Sequence, residues 1–275
     1  MTLLLPLLAA LAPHPGPNAA PLPEPSPVQE RAAEDDHRWE VHDMERPWPL
    51  RVEGASAVTT APPADAVVLM GMPGRPVTDK APAQPKGLAL WQHGDGRDAE
   101  WLALDDGSFQ VKGGTGDIQT RASFGDVQLH LEWFCPESEA DGEGQGRGNS
   151  GLFLQSQYEI QVLECVGSRT YADGMAASIY GQRPPLVNPG AGIGAWNSYD
   201  VVYRAPAFDD EGALLKPATV TVLHNGVLVQ DHVAFEGPTR HHARTKYEAH
   251  APKLPLRLQD HGDPVRFRNM WLREL

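Results

Sequence analysis

The segment GNSGLFLQSQYEIQVLE, residues 148–164, has the pattern of two short β-strands folded against each other. Apolar residues occupy alternate positions in both halves, which is typical of strands with one buried face. A two-residue turn would place Leu152 and Leu154 on the face that carries Glu159. A loop with an odd number of residues keeps the even-numbered apolar residues on one face. The sequence therefore predicts an odd loop around Ser156.

The other face of this hairpin is predicted to be polar. It collects one aromatic ring, one carboxylate and two amides, from Phe153, Glu159, Gln155 and Gln161. Such a set suits sugar hydroxyls and the apolar face of a sugar ring. We therefore expect a carbohydrate site on this face, with Gln155 and Gln161 among its substrate-binding residues.

The composition is that of a protein able to bury a core. Of the 275 residues, 41% are hydrophobic and 21% charged, while 27 glycines and 26 prolines favour many turns and few long helices. The formal net charge of −13 argues against nucleic acid or an anionic membrane surface as a partner.

The first part of the chain indicates export. Residues 1–12 are apolar and too short to span a bilayer, and they resemble the central region of a secretory signal, although no basic residue precedes them. We predict a signal segment over residues 1–20 and a proline-rich linker over 21–37, hence a periplasmic or secreted bacterial protein without a transmembrane segment. A wrongly assigned start codon is the alternative.

About a dozen short strands follow, with turns at close spacing and no convincing amphipathic helix. The strongest hairpin signals are Asp105-Asp106-Gly107 and Asn225-Gly226. This pattern predicts an all-β sandwich or jelly roll over residues 65–275, preceded by an extended lead-in segment over residues 38–64. A break in alternation predicts a bulge near Asn269.

The two cysteines are expected to be free thiols. Cys135 and Cys165 follow predicted strands, and a meander of 127–134, 151–155 and 158–164 would separate them by about 9–10 Å, beyond disulfide reach. Export keeps a disulfide open as the alternative.

Several pieces of the chain, taken together and in order, resemble the 3-keto-disaccharide hydrolase domain family. The matching pieces are FGDVQLHLEW at 124–133, GNSGLFLQ at 148–155, YEIQVLE at 158–164, IYG at 179–181, WN at 196–197, NGV at 225–227, LQDHG at 258–262 and VRFRN at 265–269. The resemblance implies a concanavalin-like jelly-roll β-sandwich of two antiparallel sheets with few or no helices. It also implies action on, or binding of, glycosides oxidised at the sugar 3-position.

Cleavage of such a glycoside needs a base, an acid for the leaving oxygen, and donors to an enolate. We take Glu159, Glu132 and His261 as the candidate catalytic residues. Glu132 is predicted on a strand beside the hairpin and facing the same way, with an arginine-paired structural carboxylate as the alternative. His261 lies in a turn, where it could equally cap the loop.

Four further residues complete the substrate-binding candidates, and three of them have a structural alternative. Asn149 could contact substrate or satisfy a turn, and Tyr180 lies in a matched piece. Trp196 could stack on a sugar or belong to the core. Arg268 could hold a ketone, but we favour a structural pairing with Glu132 or Glu159.

No cofactor is expected, and no metal site is predicted. His241-His242 has no third ligand at a useful spacing in the sequence, which disfavours zinc there. A retaining glycosidase would need a second acid near Glu159, whereas the residue two positions later is Gln161. The leading hypothesis is thus an exported enzyme that cleaves 3-keto-glycosides. The alternatives are a non-catalytic carbohydrate-binding sandwich and a structural domain.

Overall fold

The computed structural model describes residues 36–71 and 83–275. The predicted signal segment, 1–20, lies outside the described residues, as does the predicted linker, 21–37, apart from its last two residues. The described residues contain 19 strands and four three-residue 3-10 turns, and no α-helix. No described helix has the length and apolar character needed to cross a bilayer.

The 19 strands in chain order are β1 (Leu50–Arg51), β2 (Val67–Met70), β3 (Trp91–His93), β4 (Leu102–Ala103), β5 (Phe109–Gln110), β6 (Ile118–Phe124), β7 (Val127–Phe134), β8 (Ser150–Leu154), β9 (Tyr158–Val162), β10 (Val187–Asn188), β11 (Trp196–Arg204), β12 (Ala207–Phe208), β13 (Leu214–Lys216), β14 (Thr219–His224), β15 (Val227–Ala234), β16 (Thr239–Arg240), β17 (Ala243–Arg244), β18 (Leu254–Leu258) and β19 (Arg266–Glu274). The 3-10 turns are Asp36–Arg38, Glu137–Glu139, Gly144–Gly146 and Ala172–Gly174.

Two antiparallel sheets make up the sandwich. The large sheet has the order β15-β14-β11-β7-β19-β5-β4, and β2 also pairs with β19. The small sheet has the order β3-β6-β18-β8-β9. The predicted all-β sandwich, of concanavalin-like jelly-roll type with two antiparallel sheets, is confirmed. Both predicted hairpins, β4–β5 and β14–β15, are also confirmed.

The hairpin of residues 148–164 is formed by β8 and β9, and its loop is 155–157. Leu152 lies opposite Ile160 and Leu154 opposite Tyr158, so the even-numbered residues share one face. The predicted odd loop is confirmed. This face is fully buried against the large sheet, where the hydroxyl of Tyr199 donates to the backbone oxygen of Gln161 over 2.8 Å.

The predicted meander is wrong, because β7 is not a neighbour of this hairpin. Strand β7 pairs with β11 and β19 in the large sheet, while β8 pairs with β18 and β9 in the small sheet. Residues 135–149 carry the chain from one sheet to the other. Strands of both sheets carry apolar residues at alternate positions, so the alternation that reveals a strand does not reveal which sheet it joins.

The two cysteines are free, as predicted, although their strands lie in different sheets. Cys135 and Cys165 are both buried, and neither forms a disulfide. Burial raises the pKa of each thiol to about 12, so both stay protonated at neutral pH.

Near its end, the lead-in segment, residues 38–64, contacts the outer face of the large sheet through Val58 and Thr60. The backbone oxygen of Thr60 accepts hydrogen bonds from Asn269 Nδ2 and Trp271 Nε1, both over 3.1 Å. The backbone N–H of Val58 donates to Ser198 Oγ over 2.9 Å. Asn269 has a φ of 46° at a register shift between β19 and β7, which confirms the predicted bulge.

Glu132 lies on this outer face, within the large sheet and fully buried. Its carboxylate accepts hydrogen bonds from Arg268 Nε over 2.7 Å and from Asn269 Nδ2 over 2.8 Å. His130 Nε2 lies 3.6 Å away. Burial raises the pKa of Glu132, but the nearby His130 and the hydrogen bonds from Asn269 and Arg268 outweigh this and lower the pKa to about 2. The arginine-paired structural reading of Glu132 is the one that the geometry supports.

We expect Glu132 to stabilise the fold in a pH-dependent way. The folded pKa lies below the unfolded value, so its contribution is fully present above about pH 4.5 and is lost as the pH falls towards 2. The shift corresponds to about 3 kcal/mol. Glu132→Gln should therefore lower the free energy of unfolding by about that amount at pH 7, as measured by urea denaturation.

The difference between wild type and Glu132→Gln should shrink as the pH falls below 4.5. Glu53→Gln is the control, because Glu53 forms an exposed ion pair with Arg51 and should change stability little. A difference between wild type and Glu132→Gln that stays constant between pH 7 and pH 3 would contradict the role given to the carboxylate.

Candidate functional site

A cavity of about 370 Å³ opens over the polar face of the β8–β9 hairpin. Its volume falls within the range of small-molecule sites. Eleven of its twelve lining residues carry an amide, hydroxyl, imidazole, guanidinium or carboxyl group, and all of these groups hydrogen-bond well to sugar hydroxyls. The lining residues are Gln145, Asn149, Phe153, Glu159, Gln161, Tyr180, Thr239, Arg240, His241, Arg257, Gln259 and His261.

Strand pairing places three of these residues side by side. Arg257 on β18 lies opposite Phe153 on β8, which lies opposite Glu159 on β9. The Arg257 guanidinium stacks on the Phe153 ring, 3.7 Å from its centroid, and also pairs with Asp117. Phe153 therefore supports the arginine and is not the open ring platform that the sequence predicted, since Arg257 covers one face and only 5% of the residue is exposed.

Glu159 is the buried carboxyl group of the cavity, with 5% of its surface exposed. Burial raises its pKa to about 8, with Arg257 acting to lower the pKa and Asp117 to raise it. Gly151, in the neighbouring strand, makes room for this carboxyl, because a Cβ there would overlap Glu159 Oε1. A carboxyl that exchanges its proton near neutral pH is suited to proton transfer.

A chain of contacting amides begins at this carboxyl. The terminal amide of Gln161 lies 2.9 Å from Glu159 Oε1 and contacts Asn149 at 3.1 Å and Gln145 at 3.3 Å. Asn149 Nδ2 in turn donates to the backbone oxygen of Gln145 over 2.8 Å. An amide has a donor end and an acceptor end, so Gln161 can donate to the ionised carboxylate or accept from the protonated acid.

Aromatic and imidazole side chains form the rim opposite the β18 side. The hydroxyl of Tyr180 lies 2.9 Å from that of Tyr171 and 3.2 Å from His241 Nδ1. His241 and His242 form the turn between β16 and β17.

The expectation that His241-His242 lacks a third potential ligand is wrong. His42, from the lead-in segment, brings a third ring, and one ring nitrogen of each histidine lies within 4.8 Å of the others. His42 is buried, and burial together with the nearby His242 and His241 lowers its pKa to about 4. The sequence could not reveal this group, because about 200 residues separate its two parts.

Five of the nine predicted site residues meet at the cavity: Glu159, His261, Asn149, Gln161 and Tyr180. His261 is exposed in the turn after β18, on the side of the cavity that Gln259 also lines. The prediction that these residues are involved in catalysis or substrate binding stays a prediction, but their convergence is a property of the structure.

The other four predicted residues lie elsewhere. Glu132 and Arg268 pair with each other in the large sheet. Trp196, also in that sheet, lies under the Arg268 guanidinium at 3.8 Å. Gln155 belongs to the β8–β9 loop, where its φ of 50° turns it away from the strand alternation. Its buried amide accepts from Tyr203 and donates to the backbone oxygen of Pro252.

Sequence reasoning missed six lining residues, Gln145, Thr239, Arg240, His241, Arg257 and Gln259. For Arg257 a signal existed. Leu254, Leu256 and Leu258 occupy alternate positions, and Arg257 lies between two of them, where the strand should point away from the core. The others lie in loops or short strands without a periodic pattern, so only the tertiary structure could assign them.

A crystal structure at 2.13 Å resolution of a "putative glycosyl hydrolase" from Parabacteroides distasonis ATCC 8503 is similar to this chain. It is 38% identical, with a TM-score of 0.71 over 85% of this chain and 96% of that chain. Two other structures described in the same words and from the same organism are more distant. One, at 1.70 Å, is 20% identical, with a TM-score of 0.49 over 69% of this chain and 90% of that chain. The other, at 2.00 Å, is 18% identical, with a TM-score of 0.48 over 69% and 96%.

The comparison with curated proteins found no match. The 3-keto-alpha-glucoside-1,2-lyase-like domain matches residues 85–273, which is more than half of the chain. The match agrees with the resemblance to the 3-keto-disaccharide hydrolase domain family and confirms it. This chain therefore belongs to the 3-keto-alpha-glucoside-1,2-lyase-like domain family.

Proposed function

We propose that this protein cleaves glycosides oxidised at the sugar 3-position, by elimination across C1 and C2, in the cavity over the β8–β9 hairpin. The observation that carries the proposal is the buried Glu159 carboxyl, whose pKa is raised to about 8 among side chains that suit sugar hydroxyls. Family membership supports the coarser conclusion, a carbohydrate-processing protein. The 3-keto substrate, the reaction and the residue roles are our proposal.

The chemistry follows from the ketone. A carbonyl at C3 acidifies the hydrogen on C2, so that a carboxylate can remove it as a proton and leave an enolate on C2, C3 and the oxygen. When the enolate collapses, the C3 carbonyl reforms, a double bond forms between C1 and C2, and the bond from C1 to the aglycone oxygen breaks. The leaving oxygen takes up a proton. Water can then add across the new double bond to give the 3-keto sugar.

Glu159 is our candidate for the base. A base is most effective when its pKa lies near the working pH, and burial brings this carboxyl into that range. The Gln161 amide, 2.9 Å from Oε1, can follow the change of protonation state. The Arg257 guanidinium lies next to Glu159 in the cross-strand row and is our candidate for stabilising negative charge on the enolate.

His261 is our candidate for the acid that protonates the leaving oxygen. It is exposed at the cavity, where a departing aglycone would enter solvent. Asn149, Gln161 and Tyr180 are the proposed contacts to sugar hydroxyls. We do not carry Glu132, Gln155, Trp196 or Arg268 into the mechanism, because each is held in contacts away from the cavity.

Export belongs to the same proposal. It is supported by the apolar run in residues 3–12, which resembles the central region of a secretory signal. Sequencing the amino terminus of the protein recovered from the periplasm or medium would test it, and recovery of all the protein uncleaved in the cytoplasm would contradict it.

We expect Glu159→Gln to lower kcat/KM on 3-keto-trehalose or a 3-keto-glucoside by roughly 10²–10⁴-fold, since the amide cannot remove a proton. Release of free sugar measures the reaction, and circular dichroism checks the fold. Glu132→Gln is the matched control, because it removes a buried carboxylate from the other sheet and should keep its activity below its melting temperature.

Full activity of Glu159→Gln would show that Glu159 is not the base. If the wild-type protein binds the keto-glycoside in titration calorimetry but releases no sugar, the enzyme proposal fails and a carbohydrate-binding module takes its place. Absence of both binding and turnover would contradict the enzyme and the carbohydrate-binding module alike, and would leave the structural-domain alternative.

The pH dependence gives an independent test. The base acts only when ionised, so kcat/KM should rise with pH through about 8, where Glu159 loses its proton. Initial rates at low substrate concentration between pH 6 and pH 9.5 would measure this rise in kcat/KM. A profile that is already flat at pH 6 would show that the essential base has an ordinary carboxyl pKa and is not Glu159 as found here.

A further inference from the structure

Three histidines from two distant parts of the sequence meet at the rim of the cavity. One ring nitrogen each from His42, His241 and His242 lies within 4.8 Å of the other two. The Nδ1 atoms of His42 and His242 are 3.2 Å apart. In a tetrahedral site with metal–nitrogen bonds of about 2.0–2.1 Å, two ligand nitrogens lie about 3.4 Å apart. The spacing of this pair thus suits a single shared ion, and the third ring nitrogen lies within 4.8 Å of both.

We propose that His42, His241 and His242 bind one divalent first-row transition-metal ion of the Zn²⁺ class at the rim of the cavity. Imidazole is a ligand that suits zinc, copper, iron and nickel, whereas magnesium and calcium prefer oxygen. Three protein ligands leave a fourth position open, as in catalytic zinc sites, where that position holds water or substrate.

The surroundings of the three rings hold them in place. His42 stacks on Tyr171, with ring centroids 3.8 Å apart and an angle of 20° between the planes. Its backbone N–H donates to Asp173 Oδ2 over 3.1 Å. The hydroxyl of Tyr180, 3.2 Å from His241 Nδ1, can orient the third ring as outer partners orient metal-binding histidines.

Two of the three histidines also have strained backbones. The φ angles of His42 and His242 are 65° and 54°, in the left-handed region that residues other than glycine adopt rarely. Such backbone strain is concentrated at functional sites. A direct hydrogen bond between His42 and His242 would also hold their ring nitrogens 3.2 Å apart. Metal-binding measurements distinguish this hydrogen bond from a shared ion.

The ion would add chemistry to the cavity, since His241 and Tyr180 both line it. With an open position, the ion could polarise a keto or hydroxyl oxygen of a bound sugar as a Lewis acid. This role rests on the proposed function. The binding of the ion does not, and it can be tested without substrate.

The test uses the full-length chain produced without a polyhistidine tag and stripped of metal by a chelator. Titration calorimetry with Zn²⁺ should show one ion per chain, and Co²⁺ should give the visible absorption of a low-coordinate site. His242→Asn should weaken Zn²⁺ binding by roughly 100-fold or more. Asparagine is chosen because it tolerates a positive φ, and because His242 lies in an exposed turn, the variant should keep its fold.

His232→Asn is the matched control. His232 is also exposed and also has a positive φ, 49°, but it lies outside the histidine group, so its variant should bind Zn²⁺ like wild type. No binding by the wild-type chain would overturn the proposal, and so would equal binding by His242→Asn or an equal loss in His232→Asn. Glu159→Gln should still bind the ion, so failure of the metal site and failure of the proposed reaction can be told apart.

Discussion

The three-residue loop between β8 and β9 decides which side chains of the hairpin face the core and which face the cavity. Because side chains alternate along a strand, this odd loop puts Leu152, Leu154, Tyr158 and Ile160 against the large sheet. The opposite face then carries Glu159 and Gln161. The loop is itself anchored from inside, since the buried amide of Gln155 bonds to Tyr203 of the large sheet and to a backbone oxygen. Core packing and cavity chemistry therefore depend on one register.

The same hairpin explains why a carboxyl can be buried in the cavity at all. Glu159 lies in a row with Phe153 and Arg257, and Gly151 leaves space where another residue would overlap the carboxyl. Burying an unpaired carboxylate is costly, and the raised pKa is the physical expression of that cost. Glu132 shows the opposite outcome in the other sheet. There Arg268, Asn269 and His130 stabilise the ionised form, and the pKa falls.

The lead-in segment links these two regions of the domain. Near its start His42 reaches the cavity rim, and near its end Thr60 bonds to the bulge of β19 on the outer face of the large sheet. Between them β1 forms a two-residue parallel pairing with β10. An apparently plain extended segment thus supplies a side chain to the candidate metal site and covers polar groups of the large sheet.

The sequence by itself determined most of the longer strands, the parity of the hairpin, the turns at Gly107 and Gly226 and the bulge at Asn269, because each depends on local alternation or on backbone freedom. The pattern of short strands also predicted the sandwich, the family resemblance added its jelly-roll type, and five of the nine site candidates line one cavity. Only the tertiary structure decided that β7 belongs to the other sheet, that Glu132 pairs with Arg268 there, and that His42 joins His241 and His242. The physical reason is that apolar alternation shows which face of a strand is buried but not which other strand it contacts. Contacts between distant segments therefore form only when the two sheets pack together.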